Sequence, residues 1–180
     1  LQPEYTAEEA TELHKQMLRT TVAKVCSVFG DVWLAVDDIK HPCFTNLQSN
    51  FPFKLKDQTE GSLGDRLKSL CKHSFEQDSS SIMFLGTDSP HVDTKRYRQA
   101  QLAIESCDAV LGPVEDGGYD LIALSKPCLE LFDGINWGTK TVFSETINKI
   151  NALHLSSHVL NRSFDLDRAV DIQRAPPDSW

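Results

Sequence analysis

Apolar residues recur at helical spacing from just after Thr6 as far as Gly30. Ala10, Leu13 and Met17 share one face, and Leu18, Val22, Val25 and Phe29 continue a stripe. Thr6 followed by Glu9 has the Thr-x-x-Glu spacing of a capping box, which satisfies two orphan N–H groups where a helix begins. Gly30 stops this helix, and Asp31-Val-Trp-Leu-Ala-Val36 reads as a strand. A less regular stretch follows, punctuated by Pro42 and Pro52, with a short strand expected at Phe53–Leu55. Ser62 with Asp65 marks another helix start, and Leu63, Leu67, Leu70 and Phe75 supply its apolar face.

Beyond a polar loop at Gln77–Ser81, Ile82-Met-Phe-Leu85 is a continuous apolar run, the signature of a strand buried on both faces. Asp93–Ser106 reads as a helix burying Tyr97, Ala100, Leu102, Ala103 and Ile104. Ala109–Leu111 and Tyr119–Leu124 read as strands flanking Glu115-Asp-Gly-Gly118. A short helix is expected at Pro127–Phe132. A longer one opens at Thr139 or Thr141 and buries Val142, Phe143, Thr146, Ile147 and Ile150. Asp165–Ile172 reads as an extended exit and a helical turn, and Pro176-Pro177 closes a polar tail. Strands alternating with amphipathic helices predict an α/β fold, a three-layer α/β/α arrangement with a mainly parallel sheet. The expected organisation is one domain over residues 1–172 and a tail over 173–180. In such sheets ligands bind at the carboxyl ends of the strands, where the search for chemistry begins.

Composition narrows the field. At 180 residues, with 40% hydrophobic and 24% charged positions, the chain can bury a core. Its net charge of −8 and the lack of a basic stripe with interleaved aromatics argue against nucleic-acid binding. No apolar run is long enough to span a bilayer, so the chain reads as soluble. The cysteines (Cys26, Cys43, Cys71, Cys107, Cys128) are odd in number and scattered, without a Cys-x-x-Cys pair. That pattern fits neither a disulfide framework nor a zinc module, and points to the cytoplasm.

Four short segments could carry chemistry. In Gly86-Thr-Asp-Ser-Pro90, Gly86 permits an unusual backbone angle and Pro90 biases Ser89 away from a helix, holding Asp88 at the end of an apolar strand. A carboxylate there suits Mg²⁺ or Mn²⁺, although spacing alone favours a helix cap or turn role for Asp88. Glu115-Asp-Gly-Gly-Tyr119 is a hairpin signal in its own right. Its functional reading is that Gly117 and Gly118 admit a ligand to the backbone while Asp116 adds a carboxylate. Trp137-Gly-Thr139 is either an ordinary helix start with an aromatic anchor or a loop setting a ring beside a sugar or base. Asp165-Leu-Asp167 puts two acids on one side of an extended segment, which suits a cation or simply a solvated turn. No serine-hydrolase elbow or P-loop occurs. His154 and His158 would share a face only on a helix, and His91 alone is weak evidence for proton transfer.

Read in order, Gly86-Thr-Asp-Ser-Pro90, Asp108-Ala-Val-Leu-Gly-Pro-Val-Glu-Asp-Gly-Gly-Tyr119 continuing to Leu124, and Leu131-Phe-Asp-Gly-Ile-Asn-Trp-Gly-Thr139 resemble one family. It is the family of small glycosyltransferase-like proteins known as radical-SAM/selenodomain-associated transferase 1, in the nucleotide-diphospho-sugar transferase superfamily with a GT-A-like sheet. Gln58-Thr-Glu-Gly-Ser-Leu-Gly-Asp-Arg66 is similar to its Gln-x-x-Gly-x-Leu-Gly-Glu-Arg segment, and the resemblance covers most of the chain.

The resemblance implies a nucleoside-diphosphate-sugar donor, an acceptor it does not identify, and Mg²⁺ or Mn²⁺ held by Asp88 with Asp116. Glu115 is a guess for the base. Gly86, Thr87, Gly117, Gly118, Tyr119, Trp137 and Thr139 would line the donor and acceptor sites. Asp165 and Asp167 match the start of a closing Asp-x-Asp-Thr-Pro-Glu-Asp-Leu segment, from which Thr, Pro and Glu are missing here. Family members also carry an apolar strand and a basic loop before the point matched by Leu1, so the resemblance implies a segment upstream of it, or a shortened protein that no longer catalyses. The rival readings are nucleotidyl transfer to a small phosphorylated substrate and a non-catalytic binding or regulatory domain of this fold.

Overall fold

The computed structural model describes residues 5–176 and 179–180. Leu1 and Pro177 lie outside the described residues. The chain divides into two compact units, one formed by residues 1–58, 87–97 and 165–180, the other by 59–86 and 98–164.

The first unit opens with α1 (Ala7–Val28). Thr6 is its N-cap, and the reciprocal box with Glu9 forms as expected, with Thr6 N–H on Glu9 Oε2 at 2.8 Å and Glu9 N–H on Thr6 Oγ1 at 3.2 Å. Leu18 and Val22 pack with Val32, Leu47 and Phe53 into a small core. β1 (Trp33–Val36) pairs in parallel with β2 (Lys54–Asp57), so that Trp33 faces Lys54 and Val36 faces Asp57. Between them lies α2 (Pro42–Gln48), where the sequence pattern reads as irregular. Pro42 begins this helix rather than breaking a chain segment: proline's missing N–H costs nothing in the first turn, and His41 Nδ1 caps the N–H of Cys43 at 3.2 Å.

The second unit is built on a four-stranded sheet in the order β3-β5-β4-β6. Its strands are β3 (Ile82–Leu85), β4 (Ala109–Pro113), β5 (Tyr119–Leu124) and β6 (Ser157–Val159). β5 runs antiparallel to both β3 and β4, and β4 pairs with β6 in parallel. Side-chain alternation divides the core between the two faces of this sheet. Ala109, Leu111, Ile122 and Leu124 point to one side with Cys71, Leu131, Phe132 and Ile150. Those partners come from α3 (Leu63–Glu76), the 3-10 helix Leu129–Phe132 and α5 (Val142–Ala152). Val110, Leu121 and Ala123 point to the other side with Ala100, Ile104 and Leu160. Ala100 belongs to α4 (Thr94–Ala103). This unit is therefore itself a helix–sheet–helix sandwich.

Full burial of Leu111, Ile122 and Leu124, each at most 1% exposed, contributes about 1.5–3 kcal/mol per side chain. The strands buried on both faces are β4 and β5, whereas β3 is only half-buried because it ends this sheet. β6 appears where the polar run 154–159 gives no strand signal, and its pairing with β4 supplies what composition withholds. The last element is α6 (Ala169–Arg174), in the first unit.

Candidate functional site

Gly86 leaves β3 with its N–H on the carbonyl of Asp120 at 2.9 Å, one rung beyond the strand ladder. Positive φ among glycines belongs to Gly61, Gly117, Gly134 and Gly138, so Gly86 does not use the unusual angle expected of it. The chain then turns: the N–H of Val92 donates to the carbonyl of Ser89 at 3.1 Å, across Pro90 and His91. Asp93 caps α4, accepting the N–H of Lys95 on Oδ1 at 2.8 Å. That overturns the capping alternative for Asp88, because the cap position is already filled five residues later.

Asp88 is exposed, Ser89 is 3% exposed and Asp165 is half-buried. Ser89 Oγ donates to Asp165 Oδ1 at 2.5 Å, the short separation of a hydroxyl on a carboxylate. Immediately beside it, the N–H of Leu166 donates to the carbonyl of Asp88 at 2.9 Å. Leu166 is 2% exposed and anchors this pairing. Two acids distant in sequence, Asp88 and Asp165, thus flank one pair of cross-chain hydrogen bonds, with Thr87 just before them. Asp167, two residues on, is exposed. The signal available in the sequence is the lone apolar residue between two aspartates in Asp165-Leu-Asp167, since alternation turns acids away from a buried leucine.

Three cations act on His91 within this turn. Burial, then the charges of Lys24, Arg174 and Arg96, push His91 down to about 4, so its ring is neutral at physiological pH. Burial also lowers Lys24, with Asp93 opposing the effect.

The remaining sequence candidates lie in the second unit, and the structure brings most of them together around one hairpin. The N–H of Val114 donates to the Gly118 carbonyl at 3.2 Å, and that of Gly117 to the Val114 carbonyl at 3.3 Å. Asp116 Oδ1 accepts the N–H of Gly118 at 2.8 Å, an Asx turn that supports the hairpin reading of this segment. Glu115 and Asp116 are exposed. Gly117 has φ +97°, and a Cβ built there would stand 2.1 Å from the carbonyl oxygen of Lys140. The N–H of Phe143 in turn donates to the Gly117 carbonyl at 2.9 Å. The space beside Gly117 is thus filled by the 140–143 backbone.

Trp137 stands edge-on to Tyr119, with ring centroids 6.4 Å apart, and tilted against Phe132 at 6.5 Å. A Cβ on Gly64 would come within 2.7 Å of Trp137 Nε1, so α3 presses directly on the indole. Burial pushes the Tyr119 phenol upward. Thr139 Oγ1 donates to the Asn136 carbonyl at 2.7 Å and meets Thr141 Oγ1 at 2.7 Å. Glu145 closes the loop by accepting from Asn136 N–H, Asn136 Nδ2 and Thr141 Oγ1 at 2.7, 2.7 and 2.8 Å, which lowers its carboxyl pKa. His154, at φ +54°, lies past the end of α5, and His158 is on β6, so they do not share a helix face. Pattern reading missed Asp120, a buried acid at 6% exposure, because it sits inside an apolar strand run.

All five cysteines are free, and no helix among the described residues is long and apolar enough to cross a membrane. No group of three His, Cys, Asp or Glu side chains able to hold a metal ion occurs among the described residues.

Residues 17–139 match the profile of a family described as "Uncharacterized protein conserved in bacteria (DUF2064)". No protein of curated function matches the chain. Among solved structures, a candidate nucleotide-diphospho-sugar transferase from Desulfovibrio desulfuricans G20 aligns with a TM-score of 0.81 at 24% identity, over 89% of this chain and 71% of that one. CMP:2-keto-3-deoxy-manno-octonic acid synthetase complexed with CTP aligns at 0.61 with 11% identity, over 88% and 85%. The bifunctional IspDF from Campylobacter jejuni aligns at 0.59 with 11% identity, over 89% of this chain and 46% of that one. At these identities the likeness is one of fold: the chain has the mixed α/β fold of nucleotide-diphospho-sugar transferases.

Proposed function

The chain belongs to the DUF2064 family, and we propose that it is a glycosyltransferase that draws on a nucleoside-diphosphate sugar and a divalent cation. The observation that supports this reading is that the segments bearing Asp88 and Asp165 are joined, by the Leu166 N–H on the Asp88 carbonyl and the Ser89 hydroxyl on the Asp165 carboxylate, in the turn that follows β3 in the chain. The donor set fits Mg²⁺ or Mn²⁺, which bind oxygen and commonly use one or two carboxylates plus substrate phosphates. A zinc site with its four nitrogen or sulfur ligands does not fit.

Asp88 and Asp165 would hold the cation. When bound, the ion offsets charge developing on the leaving diphosphate. Ser89 holds Oδ1 of Asp165, while the Leu166 N–H fixes the backbone from which Asp88 projects. The free thiols support a reducing compartment, the cytoplasm, as the place of action.

Manganese titration followed by electron paramagnetic resonance, with and without nucleoside diphosphates, tests the reading. Wild type should bind Mn²⁺ more tightly when a nucleoside diphosphate is present, and Asp88→Asn should lose that binding. Unchanged binding in Asp88→Asn would sink the assignment. Asp116→Asn in the same titration tests the role that the resemblance implies for Asp116.

The CTP-complexed synthetase, matched over 88% of this chain, favours nucleotidyl transfer as the second reading. Release of pyrophosphate from a nucleoside triphosphate supports it, and release of a nucleoside diphosphate from a sugar donor supports the first. Absence of nucleotide binding would leave the non-catalytic reading.

A further inference from the structure

We draw no further inference here: the strongest candidate, the outer edge of the apolar strand β3 (Ile82–Leu85) at one end of the four-stranded sheet, carries nothing because no observation in the structure shows what covers it.

Discussion

Ser89 and Asp165, 76 positions apart in the chain, are joined by a hydrogen bond of 2.5 Å from the serine hydroxyl to the carboxylate. Ser89 is buried, so its hydroxyl has exchanged water for protein, and Asp165 is an acceptor for it. Removing the hydroxyl strips Asp165 Oδ1 of this donor. Ser89→Ala should cost about 1.5–3 kcal/mol in urea unfolding, the range for hydrogen bonds to charged groups, and should weaken Mn²⁺ binding at the same time. Full stability together with full Mn²⁺ affinity would show that the bond neither holds the fold nor orients the acid.

The glycine turn yields a paired prediction. Gly117→Ala must place a methyl against the Lys140 carbonyl and adopt a left-handed φ. Strain and overpacking each cost about 1–3 kcal/mol, so the loss should reach about 3 kcal/mol or more. Gly134 also has positive φ, at +66°, but nothing lies within 4 Å of its Cβ position. Gly134→Ala should therefore cost only about 1 kcal/mol, the backbone term alone. Equal losses in urea unfolding would disprove the contact between Gly117 and the 140–143 loop.

Acid should expose a latch at the start of β4. Lys126 at 2.6 Å, together with the backbone and hydroxyl of Ser156 at 2.8 Å each, holds the Asp108 carboxyl at about 2, below its ordinary 3.8. A depressed carboxyl pKa stabilises the fold above the unfolded value, and that contribution disappears as pH falls from about 4 to about 2. Asp108→Asn should flatten the thermal midpoint over that window. An unchanged slope would mean that the latch is open in solution.

His91 acts in a different window. Its folded value of about 4 lies below the ordinary 6.5, so the unfolded chain takes up a proton there before the folded chain does. Stability linked to His91 is complete above 6.5 and is lost as pH falls toward about 4. His91→Gln should remove that dependence, and a nuclear magnetic resonance titration of the imidazole should place its midpoint well below 6.5. An ordinary midpoint would contradict the buried, cation-ringed setting.

Much of the fold is legible in local patterns. The α1 stripe and the capping boxes at Thr6 and Ser62 form as their spacing predicts, as do the β4–β5 hairpin around Glu115–Gly118 and the apolar strand at Ile82–Leu85. The misses have local causes too. Pro42 breaks an apolar period yet starts a helix, and β6 is a strand because β4 offers it an edge. Of the candidate site, the sequence pointed to Asp88 with Asp116 and left Asp165-Leu-Asp167 between a cation and a solvated turn, while Ser89 looks ordinary in one dimension.

The sequence by itself determined the elements, since caps, helical stripes and strand alternation depend only on neighbours two to four residues away. Only the tertiary structure decided that Asp165 rather than a helix cap accompanies the Asp88 turn, that Gly117 is filled by the Lys140 backbone, and that Lys24 grips Pro90 and Val92. Each of these is a contact between distant segments, set by where buried residues such as Leu166 come to rest, and no local pattern encodes that register.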